Sequence, residues 1–147
     1  MAGTETLSVS GLRKSFRQGE TEIAVIRDLA LTVARGETLA ILGKSGSGKS
    51  TLLSLLSGLD APDAGEVRLE GVDLAKLDEE ALLRVRNEKI WIVFQQFNLF
   101  PHLTALENAA IPLELRGDPE AETKARAALE AVGLGHRLDH TPDRLSG

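Results

Sequence analysis

The nine residues GKSGSGKST, positions 43–51, constrain this chain more than any other stretch. A nearly continuous apolar run, ETLAIL (37–42), precedes them, and KSTLLSLLSGL follows, with Leu52, Leu53, Leu55, Leu56 and Leu59 at helical spacing. The pattern predicts a strand buried on both faces, a tight loop, and a helix that ends at Gly58. The loop satisfies G-x-x-x-x-G-K-S/T in full, at Gly43, Gly48, Lys49 and Ser50. A polyphosphate carries several negative charges on small oxygens. Backbone N–H groups can surround it only where the chain curls tightly without side chains in the way, and Gly43, Gly46 and Gly48 allow that curl. The first turn of the following helix adds free N–H donors and a favourable dipole. Lys49 supplies a point charge for the β and γ phosphates, and the Ser50 hydroxyl is a hard oxygen donor suited to Mg²⁺. Gly43, Ser45, Gly46, Ser47, Gly48, Lys49, Ser50 and Thr51 are therefore the candidate contacts to a nucleotide.

The flanking sequence predicts an α/β arrangement with an antiparallel β element at the N-terminus. LSVSGL and TEIAVIRDLALTV read as strands joined by the polar turn RQGE, and GEVRLEG as another. LDEEALLRVRNE predicts a short helix capped by Asp78, with Glu79 and Glu80 in its first turn and Arg84 and Arg86 in its last. KIWIVF predicts a buried strand. In GDPEAETKARAALEAVGLG, Asp118 is the expected N-cap and Pro119 the first helical residue. Ala121, Ala125, Ala128, Leu129 and Val132 form the expected apolar face, and Gly133 closes the helix.

Net charge is −5 over 147 residues, which argues against nucleic acid as a partner. There is no cysteine, hence no disulfide framework or thiolate zinc site. The N-terminus lacks the basic and apolar regions of a signal peptide, and no apolar run approaches the ~18–20 residues that span a bilayer. The expectation is a cytoplasmic chain that meets a membrane only through a partner.

A phosphate loop alone does not choose among nucleotide-binding families. The stretch IVFQQFNLFPHLTALENAAIPLELRG, residues 92–117, closely resembles the Q-loop region of ABC-type ATPases, and the RLSG at 144–147 resembles the start of their LSGGQ signature. The three motifs stand in the family's order, and the resemblance covers the chain from about Leu7. LRKSFRQGETEIAVIRDLALTV, GLDAPDAGEV and FNLFPHLTALENAAIPL are most similar to the lipoprotein-release and macrolide-export branch. The resemblance implies an ATP-binding subunit that couples ATP hydrolysis to substrate export or extraction through a membrane permease, with ATP and Mg²⁺ as ligands. It implies a P-loop fold of ABC type in one domain over 1–147, with an N-terminal antiparallel β subdomain and a helical subdomain. The catalytic core is expected to be incomplete, ending before the Walker B strand. The magnesium-holding Asp, the catalytic Glu and the switch His find no match in these residues. A chain without them is expected to be inactive alone and to leave apolar strand surface exposed along ETLAIL and IWIVF.

Further roles follow from the resemblance. Phe16 matches the aromatic that stacks on adenine, usually Tyr; the other reading is a core ring beside the N-terminal sheet. Gln95 matches the glutamine that ligands Mg²⁺ and orients water. Phe97, Leu99, Phe100 and Leu103, within Phe97–Asn108, are candidate contacts to the permease. Ser146 and Gly147 would meet the γ-phosphate held by a second copy in a head-to-tail dimer. Trp91 departs from the family's usual Gly in KIGFVFQ. His136 and His140, spaced i, i+4, could hold a metal only on a continuous helix, which two glycines oppose. A nucleotide-binding module without hydrolysis remains the alternative. GTPases are disfavoured by the lack of an N-K-x-D motif, and relatives in DNA repair or translation by the acidic balance.

Overall fold

The computed structural model describes residues 5–95 and 97–145. They pack as two compact units, Met1–Ile92 and Val93–Gly147.

The first unit is built on a hairpin. β1 (Glu5–Gln18) and β2 (Thr21–Ala34) pair antiparallel, turning at Gly19 within the expected polar loop. β3 (Ala64–Leu69) joins the other side of β1, and the short β4 (Val72–Asp73) completes a sheet in the order β2-β1-β3-β4. Helix α1 (Lys49–Leu56) follows the glycine-rich loop and supplies Leu52 and Leu55 to the core, where they meet Val9, Leu12, Val67 and Leu74. Leu53 points outward, so the apolar stripe of α1 is narrower than its five leucines suggest. The helix ends as expected. The Gly58 N–H donates to the Leu55 carbonyl at 3.2 Å and the Leu59 N–H to the Ser54 carbonyl at 2.9 Å, the paired bonds of a Schellman stop. Helix α2 (Glu79–Lys89) is capped by Asp78, whose carboxylate accepts the Ala81 N–H at 2.7 Å. Leu82 and Val85 lean on the core from this helix.

Two expected strands are not formed. Residues 37–42 run without strand pairing, and Leu42 is 90% exposed. Residues 90–94 likewise make no ladder; Trp91 is 75% and Val93 98% exposed. The reason lies in what a doubly buried strand is. Its apolar residues are covered by neighbours on both faces and its N–H and C=O groups by strands on both edges. Among the described residues no strand pairs with either run, so the apolar pattern survives as exposed surface.

The second unit rests on two helices, α3 (Ala105–Glu114) and α4 (Ala121–Ala131), packed through Ala105, Ala110, Ala121 and Ala125. The expected apolar face of α4 is corrected in part. Ala121 and Ala125 are buried and Leu129 half-buried, but Ala128 and Val132 face solvent, because the stripe follows strict i, i+4 steps. The start of α4 is also corrected. Its N-cap position is Glu120, since a single turn closed by the Ala121 N–H on the Asp118 carbonyl precedes the helix. Asp118 still serves that end. Its carboxylate accepts the Glu120 N–H at 2.9 Å and the Lys124 ammonium at 2.7 Å, and the lysine contact foremost holds its pKa below the usual carboxylate value.

Candidate functional site

The glycine-rich loop forms a tight curl ahead of α1. Gly46 (φ 77°) and Gly48 (φ 89°) both adopt left-handed backbone, and Gly48 is the residue that caps α1. The curl leaves no room for larger residues at two points. A Cβ on Gly43 would meet Ser47 Oγ at 2.6 Å, and one on Gly48 would meet Val25 Cγ1 at 2.7 Å. The loop is therefore pressed against β2, at a particular irregularity. Ser15 pairs with Ala24 and Lys14 with Ile26, which leaves Val25 as the extra residue of a β-bulge. Bulges re-aim side chains, and this one directs Val25 against Gly48. Val25 and Ile26 were invisible to motif reading, because a bulge has no sequence signature of its own.

Lys49 is the first residue of α1, yet its side chain folds back over the loop. Its ammonium donates to the Gly43 carbonyl at 2.9 Å, the Lys44 carbonyl at 2.8 Å and Ser47 Oγ at 3.5 Å. The charge thus sits inside the curl, where an anion held by the loop would find it. A cavity of about 290 Å³ adjoins the same residues, lined by Gly43, Ser47, Gly48 and Lys49 on one side and by Val25 and Ile26 on the other. Ser45 and Ser50 are exposed on the loop and first turn, and Thr51 is half-buried one position on. No acidic side chain occurs between Gly43 and Thr51, so nothing there repels a phosphate.

Phe16 lies on β1 opposite Ile23, two residues along β2 from the bulge at Val25. Its ring is 44% exposed, so it is not the core aromatic of the competing reading. Gln95 is exposed in a turn of the second unit. The segment that follows it presents Phe97, Leu99 and Phe100 to solvent, with Leu103 half-buried. Phe97 (φ 53°) and Asn98 (φ 49°) are successive left-handed residues, an uncommon backbone for side chains of this size. Helix α3 behind this segment was not anticipated, although Thr104 and Glu107 form a complete capping box at its start. Asn108 is a second residue that the motifs did not single out; its amide ties Phe100 to α3 through two hydrogen bonds and reaches the Leu103 carbonyl with a third. His136 and His140 do not share a helix, as Gly135–Arg137 is a single 3₁₀ turn. No cluster of three His, Cys, Asp or Glu that could hold a metal occurs among the described residues. Ser146 and Gly147 lie outside the described residues.

Known proteins share this sequence and fold. The family model described as "ABC transporter" matches residues 26–147. The chain is 49% identical, over its whole length, to the ABC transporter ATP-binding protein YbbA of Escherichia coli strain K12, and spans 65% of that protein's length. It is 47% identical over 98% of its length to the lipoprotein-releasing system ATP-binding protein LolD of Alcanivorax borkumensis, spanning 64% of it. It is 43% identical over 96% of its length to the macrolide export ATP-binding/permease protein MacB of Bdellovibrio bacteriovorus, spanning 22% of it. Among solved structures it matches the dimeric, post-hydrolysis ATP-binding cassette MJ0796 bound to ADP and Pi. There the TM-score is 0.86 at 36% identity, covering 95% of this chain and 63% of that one. With a family model matching most of its residues, the chain belongs to the ABC transporter family.

Proposed function

We propose that the chain is the ATP-binding part of a transporter ATPase, in which nucleotide binding and hydrolysis drive export or extraction of a substrate through a membrane permease. The observation that carries this reading is the Lys49 ammonium, held by the Gly43 and Lys44 carbonyls within a curl shaped by Gly46 and Gly48. A triphosphate entering the curl would take over that ammonium, together with the N–H donors at the start of α1. Both the backbone conformation and the charge fit such a ligand. The Ser50 hydroxyl, exposed in the first turn of α1, fits one position around Mg²⁺. That ion characteristically takes few protein ligands and completes its shell with phosphate oxygens and water. Gln95 is the second proposed protein ligand. When bound, Mg²⁺ would neutralise phosphate charge; this chain's own residues bind and orient the nucleotide.

The proposed partners are a second nucleotide-binding subunit, meeting Ser146 and Gly147 head to tail, and a permease. Exposure of Phe97, Leu99 and Phe100 supports the permease contact, since clustered apolar residues on a surface mark partner sites. Among the described residues no helix is long and apolar enough to cross a membrane. The proposed location is the cytoplasmic face of the cell membrane, reached through the permease, and residues 1–147 are proposed to belong to one nucleotide-binding domain. Calorimetry of ATP binding to Lys49→Ala is the direct test. The expected result is a large loss of affinity; an unchanged dissociation constant would sink the assignment.

A further inference from the structure

Lys14, on the interior strand β1, is unusually covered for a lysine: its side chain is only 12% exposed. The ammonium lies 2.9 Å from Asp60 Oδ1 and 2.7 Å from the Ala61 carbonyl. Asp60 is itself oriented, because the same oxygen accepts the Ala61 N–H at 2.8 Å. The neighbouring backbone is fastened to the same loop. Asp63 accepts the Ser15 N–H at 2.6 Å and gives its own N–H to the Arg13 carbonyl at 2.9 Å. Lys14 is thus a cation with a fixed position.

That fixed cation stands over an aromatic ring. Its nitrogen is 5.3 Å from the centroid of Phe16, inside the roughly 6 Å at which a cation is drawn to a ring face. Lys14 and Phe16 are two residues apart on β1, so they project from the same face of the strand. A phenylalanine has no hydroxyl with which to fix its orientation by hydrogen bonding. Here the charge on one face does so, while the ring keeps nearly half its surface in solvent.

We propose that Lys14 is a positioning residue for base recognition. Anchored by Asp60 and the Ala61 carbonyl, it holds the Phe16 ring so that the aromatic base of a nucleoside triphosphate stacks on the open face. This rests on the nucleotide reading given above and deepens it: the phosphate loop binds the triphosphate, and the Lys14–Phe16 pair adds preference for a ligand that carries a base.

The test compares two ligands, ATP and inorganic tripolyphosphate, by calorimetry on the protein, on Lys14→Met and on Lys14→Arg. The unaltered protein is expected to bind ATP more tightly than tripolyphosphate. Lys14→Met should narrow that ratio about threefold, the scale of a partly exposed cation–ring contact, with tripolyphosphate affinity unchanged. Lys14→Arg, which keeps the charge, should restore the ratio. In a Phe16→Leu background, Lys14→Met should have no further effect on it. An unaltered ratio in Lys14→Met overturns the proposal, as does a parallel weakening of both ligands, which is what a merely structural role would give. Should Lys14→Met fail to fold, Asp60→Asn loosens the anchor while leaving the Ala61 carbonyl in place, and the same narrowing is expected of it. Lys49→Ala separates the two readings. If it leaves both ligands bound, the nucleotide reading fails; if it loses both while the Lys14→Met ratio stays unaltered, only the role of Lys14 fails.

Discussion

Asn108 holds Phe100 by both polar atoms of its backbone: Oδ1 accepts the Phe100 N–H at 2.8 Å, and Nδ2 donates to the Phe100 carbonyl at 3.1 Å. Nδ2 also lies 3.0 Å from the carbonyls of Leu103 and Thr104. One side-chain amide on α3 therefore fastens the segment that carries the exposed apolar residues Phe97, Leu99 and Phe100.

Asn108→Ala removes all of these bonds and strands the half-buried carbonyls. With net values near 1 kcal/mol per bond and some replacement by water, a loss of about 2 kcal/mol is expected. Denaturant titration measures it, and amide exchange should quicken at Phe100 first. Asn108→Asp keeps the acceptor for the Phe100 N–H but sets a carboxylate against three carbonyls. It should be at least as destabilising at neutral pH and recover in part on acidification. Equal stability of Asn108→Ala and the unaltered chain would show that the amide does not fasten the segment.

Gly46 and Gly48 both have positive φ, but they differ in surroundings. A Cβ at Gly46 meets nothing within 4 Å, whereas one at Gly48 runs into Val25. Gly46→Ala should thus carry only the conformational penalty, about 1 kcal/mol. Gly48→Ala should carry that penalty and also push the loop off β2, with a larger loss of ATP affinity than Gly46→Ala. Calorimetry on the two variants gives the order. Gly48→Ala combined with Val25→Ala should recover part of the loss; no recovery would mean that the bulge does not position the loop.

The capping box at α3 makes a prediction about pH. The Glu107 carboxylate accepts the Thr104 backbone N–H at 2.7 Å and the Thr104 hydroxyl at 2.8 Å, and these bonds, the backbone one foremost, hold its pKa below the usual glutamate value. A depressed folded-state pKa means stability that is present above the unfolded-state pKa and lost as pH falls through the folded value. The acid limb of a stability–pH curve should therefore flatten in Glu107→Gln. Thr104→Ala, which removes the cap itself, should lower stability by about 1 kcal/mol at neutral pH. An acid limb of the same slope in Glu107→Gln would assign the pH dependence to other carboxylates.

Local signals carried much of this fold, and the reason is range. Asp78 caps α2 by reaching three residues along the chain, and the stop of α1 at Gly58 uses bonds that span three and five residues, so both are legible in a short window. The capping box Thr104-x-x-Glu107 was equally local; it was masked by Pro101 and by Pro112, which sits inside α3 and cannot donate to the carbonyl four residues back. Non-local facts behaved differently. Whether 37–42 and 90–94 form strands depends on partners, and no pattern within an apolar run says whether partners stand beside it. The tight curl ahead of α1 was legible from its glycines, while its support by Val25, and the cation over Phe16, required knowing which strand lies against which.

Those same apolar runs give a prediction about association. Among the described residues, Leu42 and Val93 are the most exposed large apolar residues in their respective units. Each stands in a stretch that joins no strand ladder, and exposed apolar residues in such a run favour contact with another chain. The 147-residue chain should therefore associate as its concentration rises, with light scattering reporting a mass above 15.8 kDa. Leu42→Lys and Val93→Lys should each shift that onset to higher concentration, because a charge in such a run opposes edge-to-edge pairing. Neither touches the bonds that hold Lys49 in the loop, so calorimetry should give an ATP affinity close to the unaltered value in Val93→Lys. A chain that stays monomeric at high concentration, with the same behaviour in both variants, would show that these two runs are not its adhesive surfaces.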